Sequence, residues 1–132
     1  MKKKHIALMC AVISVVAAVA AVAIWLSGMQ FRTVLTTSME PAIPRGRVVV
    51  VSQRVSAAEI EVDDIVTFIR DQHGTIITHR VVEIETCEYL SFWFTTQGDN
   101  NQFPDAPFPA PHLIGRVRTT LPGWPFFWHR FF

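Results

Sequence analysis

The sequence predicts a mostly β protein: an antiparallel, coiled or partly closed β domain carried on one N-terminal transmembrane helix. Three observations predict it. An apolar stretch without charge, residues 6–26, lies at the front of a 132-residue chain that is 50% hydrophobic, so the apolar content is concentrated there rather than spread through a core. Beyond it, β-branched and aromatic residues come in short runs. Turn residues interrupt those runs at short intervals.

Ser14 is the most polar side chain of residues 6–26. At about 1.5 Å per residue a helix over this stretch reaches roughly 30 Å, the thickness of a bilayer's hydrocarbon core. Lys2, Lys3 and Lys4 precede it, and cations beside a first helix hold that end in the cytoplasm. The expected organisation is a cytoplasmic tail over residues 1–5, an anchor over 6–27, an exoplasmic β domain over 28–120 and an aromatic tail over 121–132. A cleavable secretory signal shares the basic start, the apolar run and small residues such as Ala20-Ala21-Val22-Ala23. Its apolar core, however, is about 7–15 residues long. Here Ile24, Trp25 and Leu26 continue past the small residues, which favours a retained anchor.

The outer portion has no lysine, and its arginines stand against eleven acids, leaving the whole chain at a formal charge of +1. No basic stripe marks a nucleic-acid partner. Cys10 lies in the apolar run and Cys87 in the outer portion, so no disulfide framework is expected. Strands are predicted over 47–52, 65–70, 75–85, 89–96 and 113–118, with one short helical turn over 57–61. Gly46, residues 71–74 and residues 98–101 supply turns, and Pro104, Pro107, Pro109 and Pro111 force an extended loop.

Ser38 follows the anchor closely, in Leu35-Thr36-Thr37-Ser38-Met39-Glu40-Pro41. Read alone it is either an ordinary loop serine or a nucleophile, and a nucleophile needs a base. Every lysine is at the cytoplasmic end, across the bilayer from it. Of the histidines, His5 shares that end, His73 sits in a turn, His112 in the proline loop and His129 in the aromatic tail. His79 stands in the strand-like Ile76-Ile77-Thr78-His79-Arg80-Val81-Val82, where a ring is held in place for structure or for catalysis. The segment Gln97-Gly98-Asp99-Asn100-Asn101, with Asp105 beyond it, is either a hairpin turn or the source of a carboxylate for a Ser/His pair. A calcium loop through Asp99, Asn101 and Asp105 fails because Phe103 and Pro104 stand where an oxygen ligand and a glycine belong. No zinc-ligand spacing occurs, and no metal or cofactor is expected.

Together these segments resemble the successive boxes of type I signal peptidases. Ser38-Met39-Glu40-Pro41, Thr78-His79-Arg80-Val81-Val82, Gly98-Asp99-Asn100-Asn101 with Asp105, and Ile114-Gly115-Arg116-Val117 occur in the family's order over the outer domain. Ordinary bacterial members have a lysine where His79 stands. The histidine followed by Gly-Asp-Asn-Asn resembles the endoplasmic-reticulum type, which also occurs in archaea and some Gram-positive bacteria.

The resemblance implies a β-rich fold and a membrane-bound serine endopeptidase that removes signal peptides from exported preproteins at the outer membrane surface. By the same resemblance Ser38 is the nucleophile, His79 the general base and Asp105 the carboxylate that orients it, with Asp99 the second carboxylate. The Ser38 amide and the Thr36 hydroxyl are the expected oxyanion donors. The expected partners are preproteins and the lipid bilayer; accessory subunits are left open. The aromatic tail, Leu121-Pro122-Gly123-Trp124-Pro125-Phe126-Phe127-Trp128, reads either as an interfacial anchor or as an edge of the core. A non-catalytic membrane-tethered β module, or an inactive peptidase homologue, is the alternative class of function.

Overall fold

The structure is a computed structural model and describes residues 2–88 and 91–123. Helix α1 (Lys2–Ser27) covers the apolar stretch and has no buried residue, and it is long and apolar enough to cross a membrane. Seven strands follow: β1 (Met29–Thr33), β2 (Val48–Ser52), β3 (Ile65–Ile69), β4 (Ile76–Cys87), β5 (Ser91–Gln97), β6 (Phe108–Pro109) and β7 (Leu113–Leu121). They form one sheet in the order β1-β2-β7-β3-β4-β5-β6, and every pairing is antiparallel. The predicted class is therefore the observed one.

The sheet is irregular in a useful way. Register shifts at Val50/Val51, Thr67/Phe68 and Val81/Glu83 place extra residues in the ladders, and such bulges bend a strand and increase its twist. Strand β7 inserts between β2 and β3, so the last strand joins the first pair to the rest. Gly115 explains the small residue in its motif. A Cβ there would lie 2.3 Å from the Ser52 carbonyl oxygen, a distance no side chain tolerates.

Two apolar clusters fill the sheet. Ile60, Val66, Phe68, Val81, Phe94 and Phe108 form one, in which the Phe68 and Phe108 rings stack with centroids 4.0 Å apart. Val34, Met39, Ile43, Val49 and Val51 form the other. The second cluster matters for function because Met39 is the neighbour of Ser38 and is fully buried. Burying such a side chain is worth about 1.5–3 kcal/mol, and that energy pins the serine segment to the sheet.

Four of the predicted strands appear as β2, β3, β4 and β7, with differences at their ends. The fifth, over 89–96, matches β5 from Ser91 onward; Tyr89 and Leu90 lie outside the described residues. Strands β1 and β6 were not anticipated. In β1 the half-buried positions are Gln30 and Arg32, while Met29, Phe31 and Thr33 are exposed, so its alternation runs opposite to the usual apolar-in pattern. In β6 a proline forms part of a two-residue edge strand, a position that spares it a ladder hydrogen bond. The helical turn is a single 3-10 turn at Ala57–Glu59. Of the aromatic tail, residues 124–132 lie outside the described residues.

Candidate active site

Ser38 sits in a tight turn after β1. The Glu40 N–H donates to the Thr37 carbonyl at 3.1 Å and the Ile43 N–H to that of Met39 at 2.8 Å. The turn is also held from across the molecule. The Asn100 N–H donates to the Ser38 carbonyl at 2.8 Å, and the Asn100 side chain donates to the Thr37 carbonyl at 3.2 Å. Gly98 lets this approach occur, since a Cβ at that position would lie 2.6 Å from the Ser38 carbonyl oxygen.

His79 is on β4, opposite Val66 of β3, and is only 5% exposed. Its Nε2 lies 3.0 Å from Ser38 Oγ and its Nδ1 lies 2.6 Å from Asp105 Oδ2. A carboxylate can only accept, so the Nδ1–H donates to Asp105 and the Nε2 lone pair is left for the serine O–H. Asp105 is itself fixed. Its N–H donates to the Thr96 carbonyl at 2.7 Å, and the Thr96 hydroxyl donates to Oδ2 at 2.8 Å. Both ring and carboxylate are largely buried, where hydrogen bonds to a charged group are stronger than in water.

Thr36 Oγ1 lies 3.1 Å from Ser38 Oγ, beside the candidate nucleophile. Asp99 is placed differently. Its two oxygens accept from Arg80 Nε and Nη2, each at 2.8 Å, while Arg80 Nη1 donates to the Asp63 carbonyl at 3.0 Å. The Arg80 hydrogen bonds hold the Asp99 carboxyl below the usual carboxylate range, against partial burial that acts the other way; the charges of Arg80 and His79 add to the lowering. The structure thus brings Ser38, His79, Asp105 and Thr36 together and gives Asp99 to the neighbouring arginine.

Three contributors escaped sequence reasoning. Thr96 is fully buried and two positions from the equally buried Phe94, so a polar residue on the inward face of a strand was the available signal. Asn100 acts through the chain fold and gave no local signal beyond its place in a turn. Arg80 adjoins His79 but faces a different partner.

A groove of about 480 Å³ runs beside the pair, lined by residues 32–36, by Ser38 and by Ile76–His79 among others. Such an arrangement can present a peptide carbonyl to Ser38 while the imidazole removes the hydroxyl proton. A family model described as signal peptidase, peptidase S26, matches residues 7–85, a span that holds most of α1 together with Ser38 and His79. The chain is also similar to signal peptidase I W of Bacillus subtilis (strain 168), with 34% identity over 97 residues, covering 74% of this chain and 48% of that protein. The chain spans about half the length of this curated relative. With more than half of the chain matched by the family model, the protein belongs to the signal peptidase family, peptidase S26.

Proposed function

We propose that this protein is a membrane-bound serine endopeptidase that removes signal peptides from exported preproteins at the outer membrane surface. The observation that carries the reading is the Ser38–His79–Asp105 chain of contacts, at 3.0 and 2.6 Å, next to a groove of about 480 Å³. Family membership supports the substrate class.

In this mechanism Ser38 Oγ attacks the scissile carbonyl as its proton passes to His79 Nε2. The Ser38 N–H and the Thr36 hydroxyl receive the oxyanion; one such donor is typically worth about 3 kcal/mol in the transition state. The imidazolium, stabilised by Asp105, then protonates the leaving amine, the C–N bond breaks, and the amino-terminal fragment remains esterified to Ser38. Water attacks this ester with His79 again taking the proton, which releases the signal peptide as a carboxylic acid and restores the serine. Asp105 stays ionised throughout and holds the ring in the required tautomer.

The proposed location is supported by α1 as a candidate anchor, with Lys2, Lys3 and Lys4 marking the expected cytoplasmic side and the sheet lying outside. Only β1 and one loop separate the end of α1 from Ser38, so the nucleophile stays near the bilayer surface, where a preprotein's cleavage region emerges. The test is to trap the ester. Full-length protein in detergent is mixed with a preprotein, quenched in acid and digested, and the Ser38 peptide should carry the mass of the acyl fragment. A mass increment on another residue, or none during active turnover, would contradict the mechanism.

A further inference from the structure

The groove beside Ser38 carries charge that peptide-bond cleavage does not require. Arg32 of β1 and Arg70, just past β3, both line it, and no aspartate or glutamate does. Among the described residues neither guanidinium has a carboxylate within ion-pair distance. Arg32 Nη2 donates to Gln30 Oε1 at 2.9 Å, whereas its Nε is buried with no hydrogen-bond partner. The guanidinium's remaining donors are the ones a ligand in the groove can meet. Arg70 stands where the groove meets two neighbouring hollows. The acid next to it, Asp71, is engaged in its own turn, accepting from the His73 and Thr75 N–H groups at 3.0 and 3.1 Å.

Both arginines lie at one end of the groove. One wall runs from Arg32 to Ser38. The other runs along β4 from Ile76 to His79, and the Arg70 N–H bonds to the Thr75 carbonyl at the start of that strand. Along the walls Arg32 lies six residues before Ser38, and Arg70 faces Thr75, four residues before His79, while its side chain also borders the hollow that His79 and Asp105 line. An extended peptide advances about 3.3 Å per residue, like the walls themselves, so a side chain reaching the arginines belongs to a residue roughly four to six positions from the scissile bond. Because Arg32 is on the strand that directly follows α1, this is the flank that leads back toward the bilayer, the amino-terminal one.

We propose that Arg32 and Arg70 form an anion-reading subsite, so that the protein prefers peptides with an aspartate or glutamate about four to six residues before the cut. This rests on the reading of the groove as the peptide site. A guanidinium matches a carboxylate with paired hydrogen bonds, and two of them with no ion pair among the described residues make the groove end selective for negative charge.

The experiment separates binding from turnover. Full-length Ser38→Ala protein in nonionic detergent is titrated with fluorescent peptides that have small residues at the cut and differ at one position: alanine, glutamate or lysine five residues before it, or glutamate five residues after it. The upstream glutamate peptide should bind about five- to tenfold tighter than the alanine peptide at low salt, with the lysine peptide weakest and the advantage reduced at high salt. Combining Arg32→Gln with Arg70→Gln should bring the glutamate-to-alanine ratio close to one. Arg32→Glu should shift preference toward lysine, and Arg32→Lys should keep most of the glutamate preference, which guards against misreading a folding defect. Equal binding of the glutamate and alanine peptides, a preference for downstream glutamate, or a ratio that survives the double substitution would overturn the subsite. So would arginine variants that lose only affinity for phosphatidylglycerol vesicles. Cleavage of the same peptides by wild-type protein judges the peptidase reading separately, because the binding ratio does not depend on it.

Discussion

Arg80 grips Asp99 with two hydrogen bonds of 2.8 Å, one to each carboxylate oxygen. The pair joins β4, one residue after His79, to the turn whose Asn100 holds the Ser38 carbonyl. Asp99 thereby acts on the candidate nucleophile through the backbone, and its substitution should first affect stability. Asp99→Asn is expected to lower stability by roughly 1 kcal/mol or less at pH 7, since the pair is partly solvated. The sign with pH follows from the lowered pKa of Asp99 in the folded state. Its contribution is complete above the ordinary carboxylate range and is lost as pH falls through the lowered folded value. Thermal melts of wild type and Asp99→Asn should therefore differ at neutral pH and converge in strong acid.

Asp105→Asn is expected to be much more damaging to activity. The amide keeps the size of the side chain but removes the charge that stabilises the imidazolium, and its NH2 group can face Nδ1 and select the wrong tautomer. A loss near 10⁴-fold in kcat is typical of an orienting carboxylate in serine peptidases. Thr96→Val, at a fully buried position, removes only one donor to the same oxygen and should reduce kcat about tenfold, the size of one modest hydrogen bond. Steady-state cleavage of a preprotein by both variants checks the order.

Gly98→Ala would place a methyl group 2.6 Å from the Ser38 carbonyl oxygen and 2.7 Å from Asn101 Nδ2. Either the serine turn or the 98–101 turn must move. The expected cost is about 1–3 kcal/mol of stability, together with a larger loss of activity than Asp99→Asn causes. Denaturation curves and cleavage rates on the same preparation would show both.

These residues also show what could be read from the chain alone. Ser38, His79 and the carboxylates were accessible because they lie in short motifs, and the lysines' confinement to one end narrowed the choice of base. The residues alone do not rank Asp99 against Asp105; the choice of Asp105 comes from the family resemblance. The ranking depends on which partner each carboxylate meets in the fold, and the five residues between them reverse direction in a turn. Strand β1 was hidden for a different reason, because its polar residues point inward and its apolar ones outward. Thr96 and Asn100 act through partners distant in sequence, which no local pattern encodes.

Orientation in the membrane has its own test. Cys87 is exposed on the sheet, and Cys10, the other cysteine, is within α1. A membrane-impermeant maleimide applied to intact cells should label Cys87 and should fail to label a Cys87→Ser variant. Labelling of Cys87 only after the cells are broken would place the sheet on the cytoplasmic side.

Ser38 and His79 are proposed to act together on a preprotein's peptide bond. This joint action is tested most directly by incubating the detergent-solubilised full chain with a preprotein and comparing wild type with Ser38→Ala, His79→Ala and the double variant. Wild type should process the preprotein, each single variant should lose at least about 10³-fold, and the double should lose no more, since residues acting as one unit are not additive. Equal processing by all four proteins would contradict it.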